Sequence, residues 1–300
     1  MTAAPPPTAP PPDAQAARHR PLLTGMRTLL GAFAVLTALA TGALFVLSEN
    51  TSETFAWTIQ PPLTAAFIGA GYAAGFVLVV LSLRDPVWAH SRVPVLTILV
   101  FVVLTLGATL LHIERMHFDD DFGGLDVLAK GAAWFWLVVY VLVPVAMAVL
   151  LVHQERAPGE DPPPRHPVPV VLRVALAGES AVLLAVGCLL YADPTTVAWV
   201  WPWEMSPFTA RVVAAWLLAF GLATALAAVA VAGDLRRLRT AAIAYTVFGV
   251  LVLVAVARYP GTLQWDQPDA WIFLGVAVAV VLTGAAGWRA ASFPAEHRHG

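Results

Sequence analysis

Residues 153–169 read His-Gln-Glu-Arg-Ala-Pro-Gly-Glu-Asp-Pro-Pro-Pro-Arg-His-Pro-Val-Pro, the longest polar, proline-rich interruption in an otherwise very apolar chain. Such a run has too little apolar surface to build a core of its own. Four hydrophobic segments precede it and four follow it. The stretch therefore reads as a linker, residues 154–168, between a first half at 27–153 and a second at 169–290.

The solvent for those halves follows from composition. A soluble domain is about half apolar and about a quarter charged. This chain is 59% hydrophobic and 12% charged, with a mean hydropathy of +0.76. Crossing a bilayer takes about 20 mostly apolar residues, and segments of that kind fall at 27–48, 62–83, 93–113, 131–153, 169–191, 207–232, 240–258 and 270–290. The expected fold class is an all-α integral membrane protein with about eight transmembrane helices. The first apolar run is too long for a signal-peptide core of about 7–15 residues and reads as a retained span.

Positive charge sets the orientation, because loops rich in Lys and Arg stay in the cytoplasm. With the N-terminus inside, the outer side keeps only Arg115, Lys130, Arg211 and Arg258, and the other Arg residues fall inside. Both termini are thus expected in the cytoplasm: a Pro/Ala-rich disordered tail at 1–26 and a short tail at 291–300. Lys130 is the only lysine and Asn50 the only asparagine, amid abundant Ala, Pro and Arg. That bias suits a GC-rich bacterial genome and hence the bacterial inner membrane. A net charge of −2 argues against a nucleic-acid partner. The single cysteine, Cys188, lies inside an apolar run, is expected to be buried, and leaves no disulfide framework.

The halves resemble one another. Thr54-Phe-Ala-Trp57 recurs as Thr196-Val-Ala-Trp199, and Pro62-Leu-Thr-Ala65 as Pro207-Phe-Thr-Ala210. Arg115 with Phe118-Asp119 matches Arg258 with Trp265-Asp266, and Ala133-Trp134-Phe-Trp-Leu137 matches Ala270-Trp271-Ile-Phe-Leu274. An ordered set of matches at a nearly constant offset is the signature of a repeat. Four spans per half return the chain to its starting side, so the two four-helix repeats are expected to be parallel, related by an axis along the membrane normal. Convergent helix-start chemistry on similar outer loops is the competing explanation. Small residues spaced four apart (Ala34, Ala38 and Gly42; Gly71 and Gly75; Ala177, Ala181 and Ala185) are candidate helix-contact stripes.

Glu179 is the most informative residue. It falls near the middle of the fifth span, where an acid costs at least about 2.5 kcal/mol and by default faces the bundle interior. It reads either as a proton or cation site or as a neutral hydrogen-bonded acid joining helices, with Tyr245 as a candidate partner. On the outer face Arg115, Asp119, Arg211, Arg258 and Asp266 are candidates for binding head groups or for pairing among themselves. The run His112-Ile-Glu-Arg-Met-His-Phe-Asp-Asp-Asp121 is rich in potential ligands, but the spacing of His117, Asp119 and Asp121 fits no metal template. A solvated acidic loop is the plainer reading. Trp57, Trp134, Trp136, Trp199, Trp201, Trp203, Trp265 and Trp271 crowd the outer side, either as an interfacial belt or as the lining of an outer aromatic cavity.

No nucleotide, haem, zinc or nucleophile-elbow motif is present, so no cofactor is implied and no reaction is named. Three functions remain: a transporter-like or small-ligand- and lipid-handling protein; a non-enzymatic scaffold or subunit for a membrane protein partner; and an enzyme acting on lipid at the outer face.

Overall fold

The computed structural model describes residues 19–118, 127–164, 166–195, 201–229 and 234–292. Among them are eight helices long and apolar enough to cross a membrane, and no strand. These are α1 (Thr24–Thr41, continued by a π-helical turn at Gly42–Val46), α2 (Pro62–Arg84), α3 (Trp88–Leu111), α4 (Val127–Glu155), α5 (Val170–Ala192), α6 (Pro207–Ala228), α7 (Leu235–Arg258) and α8 (Pro268–Ser292).

The helices begin where local chemistry starts them. Pro62 and Pro207 occupy first helical positions, where a missing N–H costs nothing. Ser206 caps α6 by accepting from the Thr209 amide at 3.3 Å, and Asp234 caps α7 by accepting from the Arg236 amide at 3.0 Å. α3 and α7 start about a turn earlier than apolar content alone places them. Their polar first turns, Trp88-Ala-His-Ser-Arg and Leu235-Arg-Arg-Leu-Arg, are helical too.

The helices form two layers. In α2, α3, α6 and α7, respectively 56%, 56%, 61% and 39% of the apolar window is buried, against 22–28% in α1, α4, α5 and α8. The first four are the inner layer. Across the middle, α2 packs on α7 and α3 on α6; outside, α1 leans on α2 and α5 on α6, while α4 flanks α3 and α8 flanks α7. The α7–α8 contact is much more extensive than its counterpart α3–α4.

Glycine lets helices touch along their backbones in both halves: a Cβ on Gly69 of α2 would stand 2.5 Å from the Phe45 amide nitrogen at the end of α1. A Cβ on Gly284 would stand 2.6 Å from Thr246 Oγ1 and 2.8 Å from the Thr246 amide nitrogen, and one on Gly249 would stand 2.7 Å from Val281. These two glycines let α7 and α8 touch along their backbones. Gly187 against Leu218 and Gly221 against Leu184 do the same for α5 and α6, and Ser180 donates to the Gly221 carbonyl at 2.8 Å. The Ala177, Ala181 and Ala185 stripe points outward instead, because α5 buries Leu176, Ser180, Leu183 and Gly187. Cys188 shares that outward face, contrary to the expected burial.

Both ends of the bundle carry matching tie-points. On the side of the linker, the segment before α1 bridges to the residue before α3 (Pro21 with Val87), with the Trp88 amide donating to the Arg20 carbonyl at 3.0 Å. The segment before α5 bridges to the residue before α7 (Pro167 with Asp234), with the Leu235 amide donating to the His166 carbonyl at 2.9 Å. Residues 19–26, assigned by composition to the tail, are thus part of the fold. The linker is packed as well: Glu155 receives Arg20, Arg92 and the Trp88 indole, and Arg92 also pairs with Asp161 at 2.6 Å. Gly159, at φ +114°, passes against the Arg20 backbone where a Cβ would meet it at 2.8 Å.

Candidate functional site

At the opposite end, each half reaches into the other. The Trp57 indole donates to Thr209 Oγ1 at 3.2 Å, and the Trp203 indole donates to Thr64 Oγ1 at 2.7 Å. Both threonines are fully buried at the start of inner helices. The same rings build two matching aromatic clusters. Phe55, Trp57 and Trp136 meet at centroid distances of 4.9, 5.3 and 4.9 Å; Trp201, Trp203 and Phe273 meet at 5.0, 5.5 and 5.1 Å. An interfacial belt therefore accounts for only part of the tryptophan: Trp134, Trp265 and Trp271 are exposed, whereas Trp57, Trp136, Trp201 and Trp203 are inside. Trp199 lies outside the described residues, and the reciprocal contacts pair Trp57 with Trp203.

Beneath the first cluster lies a cavity of about 790 Å³, within the range of about 300–1,000 Å³ typical of small-molecule sites. All four helices of the first half wall it, closed behind by Trp216 and Phe220 of α6. Its shape comes from the way α1 and α4 diverge. Near the linker end they touch, Gly25 against Leu150 and the Gln154 side chain bonding both the Leu23 amide and the Pro21 carbonyl at 2.8 Å. Toward the other end they part, and Leu39, Leu128 and Phe135, each more than half exposed, stand at a lateral mouth.

None of the described residues that line it is charged. Thr37, Thr54 and Thr97 spend their hydroxyl protons on their own helical carbonyls, and the Trp136 indole is taken by Thr109. The polar features left are the hydroxyl pair of Tyr72 and Tyr140, 2.5 Å apart, and the Trp216 indole N–H, buried without a partner among the described residues. Sequence reasoning passed over both tyrosines. The available signal was a phenol in mid-span, at the centre of Gly69-Ala-Gly-Tyr72-Ala-Ala-Gly75. A smaller void of about 70 Å³ lies toward the linker end, and Leu78, Thr97, Phe220 and Ala244 form a wall common to both.

Glu179 sits elsewhere, on α5. It accepts from the Tyr245 hydroxyl of α7 at 3.0 Å and from the Thr283 hydroxyl of α8 at 2.8 Å, so one carboxyl joins three helices. The outer-face candidates do not converge. Arg211 donates to the Tyr191 and Ala192 carbonyls at the end of α5 and to His112 Nε2 at 2.7 Å. Burial first, then the Arg211 guanidinium, pulls the His112 imidazole below its ordinary value. Arg258 is held by the Phe45 carbonyl, Ser48 and Tyr259, and Asp266 is exposed apart from it. Arg115 is 71% exposed beside Glu114; Asp119 and Asp121 lie outside the described residues. His117 is buried, bonded to the Phe55 carbonyl at 3.0 Å and Thr58 at 3.1 Å, so it pins the segment between α1 and α2 that carries Phe55 and Trp57. No group of metal-ligating residues occurs among the described residues.

Comparison of the chain with protein-family models, curated proteins and solved structures finds no match.

Proposed function

We propose that this chain is a bacterial inner-membrane protein with both termini in the cytoplasm, built from two parallel four-helix repeats, that holds a lipid-like ligand in the first-half cavity. Membrane embedding is supported by the eight helices and by outward faces made of Val, Leu, Ile and Phe, a surface that water does not tolerate at this extent. The repeat is supported by the matched bridges before α1 and α5, the exchanged Trp–Thr bonds and the twin aromatic clusters.

The observation that carries the ligand reading is the large, charge-free cavity with its mouth on the side of the bundle. A lateral mouth opens to acyl chains rather than to water, so the ligand arrives from the bilayer. Trp136 and Trp216 report its occupancy: a phospholipid with brominated chains quenches their fluorescence on entry. Gly131, at whose Cβ position nothing stands within 4 Å, lines the cavity, and Gly131→Phe should fill it and remove the saturable part of the quenching. Quenching equal to wild type in that variant would refute a phospholipid occupant, and the same result with a neutral apolar quencher would refute ligand binding there and leave a scaffold role in its place. Orientation is tested separately, with single cysteines on a Cys188→Ala background. An impermeant thiol reagent added outside should label Asp266→Cys and spare Glu160→Cys.

A second reading, passage of the ligand toward the cytoplasmic side, is favoured by the wall that the two voids share. Phe220→Ala thins that wall and should speed exchange of bound ligand with the inner leaflet; unchanged exchange removes this reading.

A further inference from the structure

We infer that the ligand is a planar, uncharged ring bearing a carbonyl or hydroxyl and a long apolar tail, the chemistry of an isoprenoid quinone, with the ring at the Tyr72–Tyr140 pair and the tail leaving between α1 and α4. The assignment rests on the ligand-binding reading above and narrows it.

Charge decides the first part. An ionised head carried to the tyrosine pair would be stripped of water with no counter-ion among the described lining residues, at a cost far beyond what apolar contact returns. A phospholipid head is therefore confined to the membrane surface, away from the polar features of the cavity. An uncharged head is admitted. The tyrosine oxygens stand 2.5 Å apart, so one hydroxyl donates to the other and the accepting tyrosine keeps its own O–H to donate to a neutral carbonyl.

Shape decides the second part. Around the hydroxyls the wall is a set of flat rings: Trp216 stacks on Phe101 at 3.9 Å and 29°, and Trp136 on Tyr140 at 4.3 Å and 29°. Offset stacking favours another planar ring over a bare chain. Phe33 and Phe135 carry the aromatic lining toward α1 and α4, where aliphatic Leu39 and Leu128 frame the mouth and suit a tail.

The test uses the whole chain in lipid nanodiscs, with decylubiquinone as one probe and a brominated-chain phosphatidylglycerol as the other, both read by tryptophan quenching. Decylubiquinone should quench saturably, and Tyr72→Phe with Tyr140→Phe, which keeps both rings, should weaken its binding about fivefold or more, the scale of a lost hydrogen bond. Gly131→Phe should abolish it. Quinone affinity unchanged in the double tyrosine variant overturns the inference. So does displacement of the quinone by the brominated phospholipid in a Gly131-dependent manner, although ligand binding itself then stands. If neither probe responds to Gly131→Phe, the ligand reading falls as well.

Discussion

The two halves present nearly the same helices and opposite interiors. In the second half α5 and α8 are stitched together by Glu179 and Thr283, and α7 and α8 close up on Gly249 and Gly284. In the first half α1 and α4 part, and about 790 Å³ opens between them. The residues at matching positions differ in size. In the register that sets Arg115 against Arg258, Gly249 corresponds to Leu106. In the register that sets Trp134 against Trp271, Gly284 corresponds to Met147. The first half thus has no glycine at the positions where Gly249 and Gly284 let α7 and α8 touch. No acid bridges α1 and α4 either, since the position facing Glu179 falls near Phe33. One half is built to be closed, and the other is left open.

The strongest way to break the contrast is to give the second half the first half's residues. Gly249→Leu with Gly284→Met drives side chains into Val281 and the Thr246 backbone. Each should cost about 1–3 kcal/mol or more through overpacking, read as loss of a monodisperse peak or of thermal stability in detergent. The reciprocal insertion, Gly131→Phe, meets open space and should leave stability within about 0.5 kcal/mol. Equal damage from the two would mean that the halves do not differ in packing.

Glu179→Leu removes the three-helix junction and should destabilise the bundle by about 1–2 kcal/mol, while Glu179→Gln keeps the hydrogen bonds and stays near wild type. Equilibrium unfolding in mixed micelles separates them. A Gln variant as unstable as Leu would give the carboxyl a role beyond joining helices. Smaller again is the clasp at the outer end. Trp57→Phe and Trp203→Phe each forfeit one indole–hydroxyl bond and should cost about 0.5–1.5 kcal/mol. Similar losses sharpen the correspondence between the halves, and a silent Trp203→Phe weakens it.

The smallest effect is a pH dependence. Burial holds the His117 imidazole below its ordinary value of 6.5, so below that value the unfolded chain binds the proton first. Stability is full above pH 6.5 and is lost as the pH falls toward the lowered folded value. His117→Gln should flatten that slope in an unfolding series across this range; an unchanged slope would assign it to another group, His112 first.

Much of the fold was legible because a bilayer imposes lengths and composition on the chain. The eight spans, the capping at Ser206 and the singular position of Glu179 needed no tertiary information. The cavity did, since it lies where α1 and α4 part above their contact at Gly25 and Gln154, a divergence no single segment announces. Outward Cys188 was misjudged because apolar surroundings in sequence do not tell which face of α5 a side chain occupies. Trp57 and Trp203 read as interfacial because their hydroxyl partners lie in the other half, some 140–150 positions distant in sequence.

Trp216 gives the proposed repeat a history. Its ring lies over Gly71, where even a Cβ would stand at 2.7 Å, and the register joining Pro62 to Pro207 makes Gly71 and Trp216 one and the same position in the two halves. That position therefore meets its own counterpart, as residues on a two-fold axis do in an isologous dimer. A symmetric ancestor could carry neither arrangement comfortably: two indoles would collide, and two glycines would leave a hole. Only after gene fusion, with each copy free to mutate alone, can one side grow large as the other stays minimal. On the proposed repeat, the Trp216–Gly71 contact marks a point of no return, beyond which neither half could go back to pairing with itself.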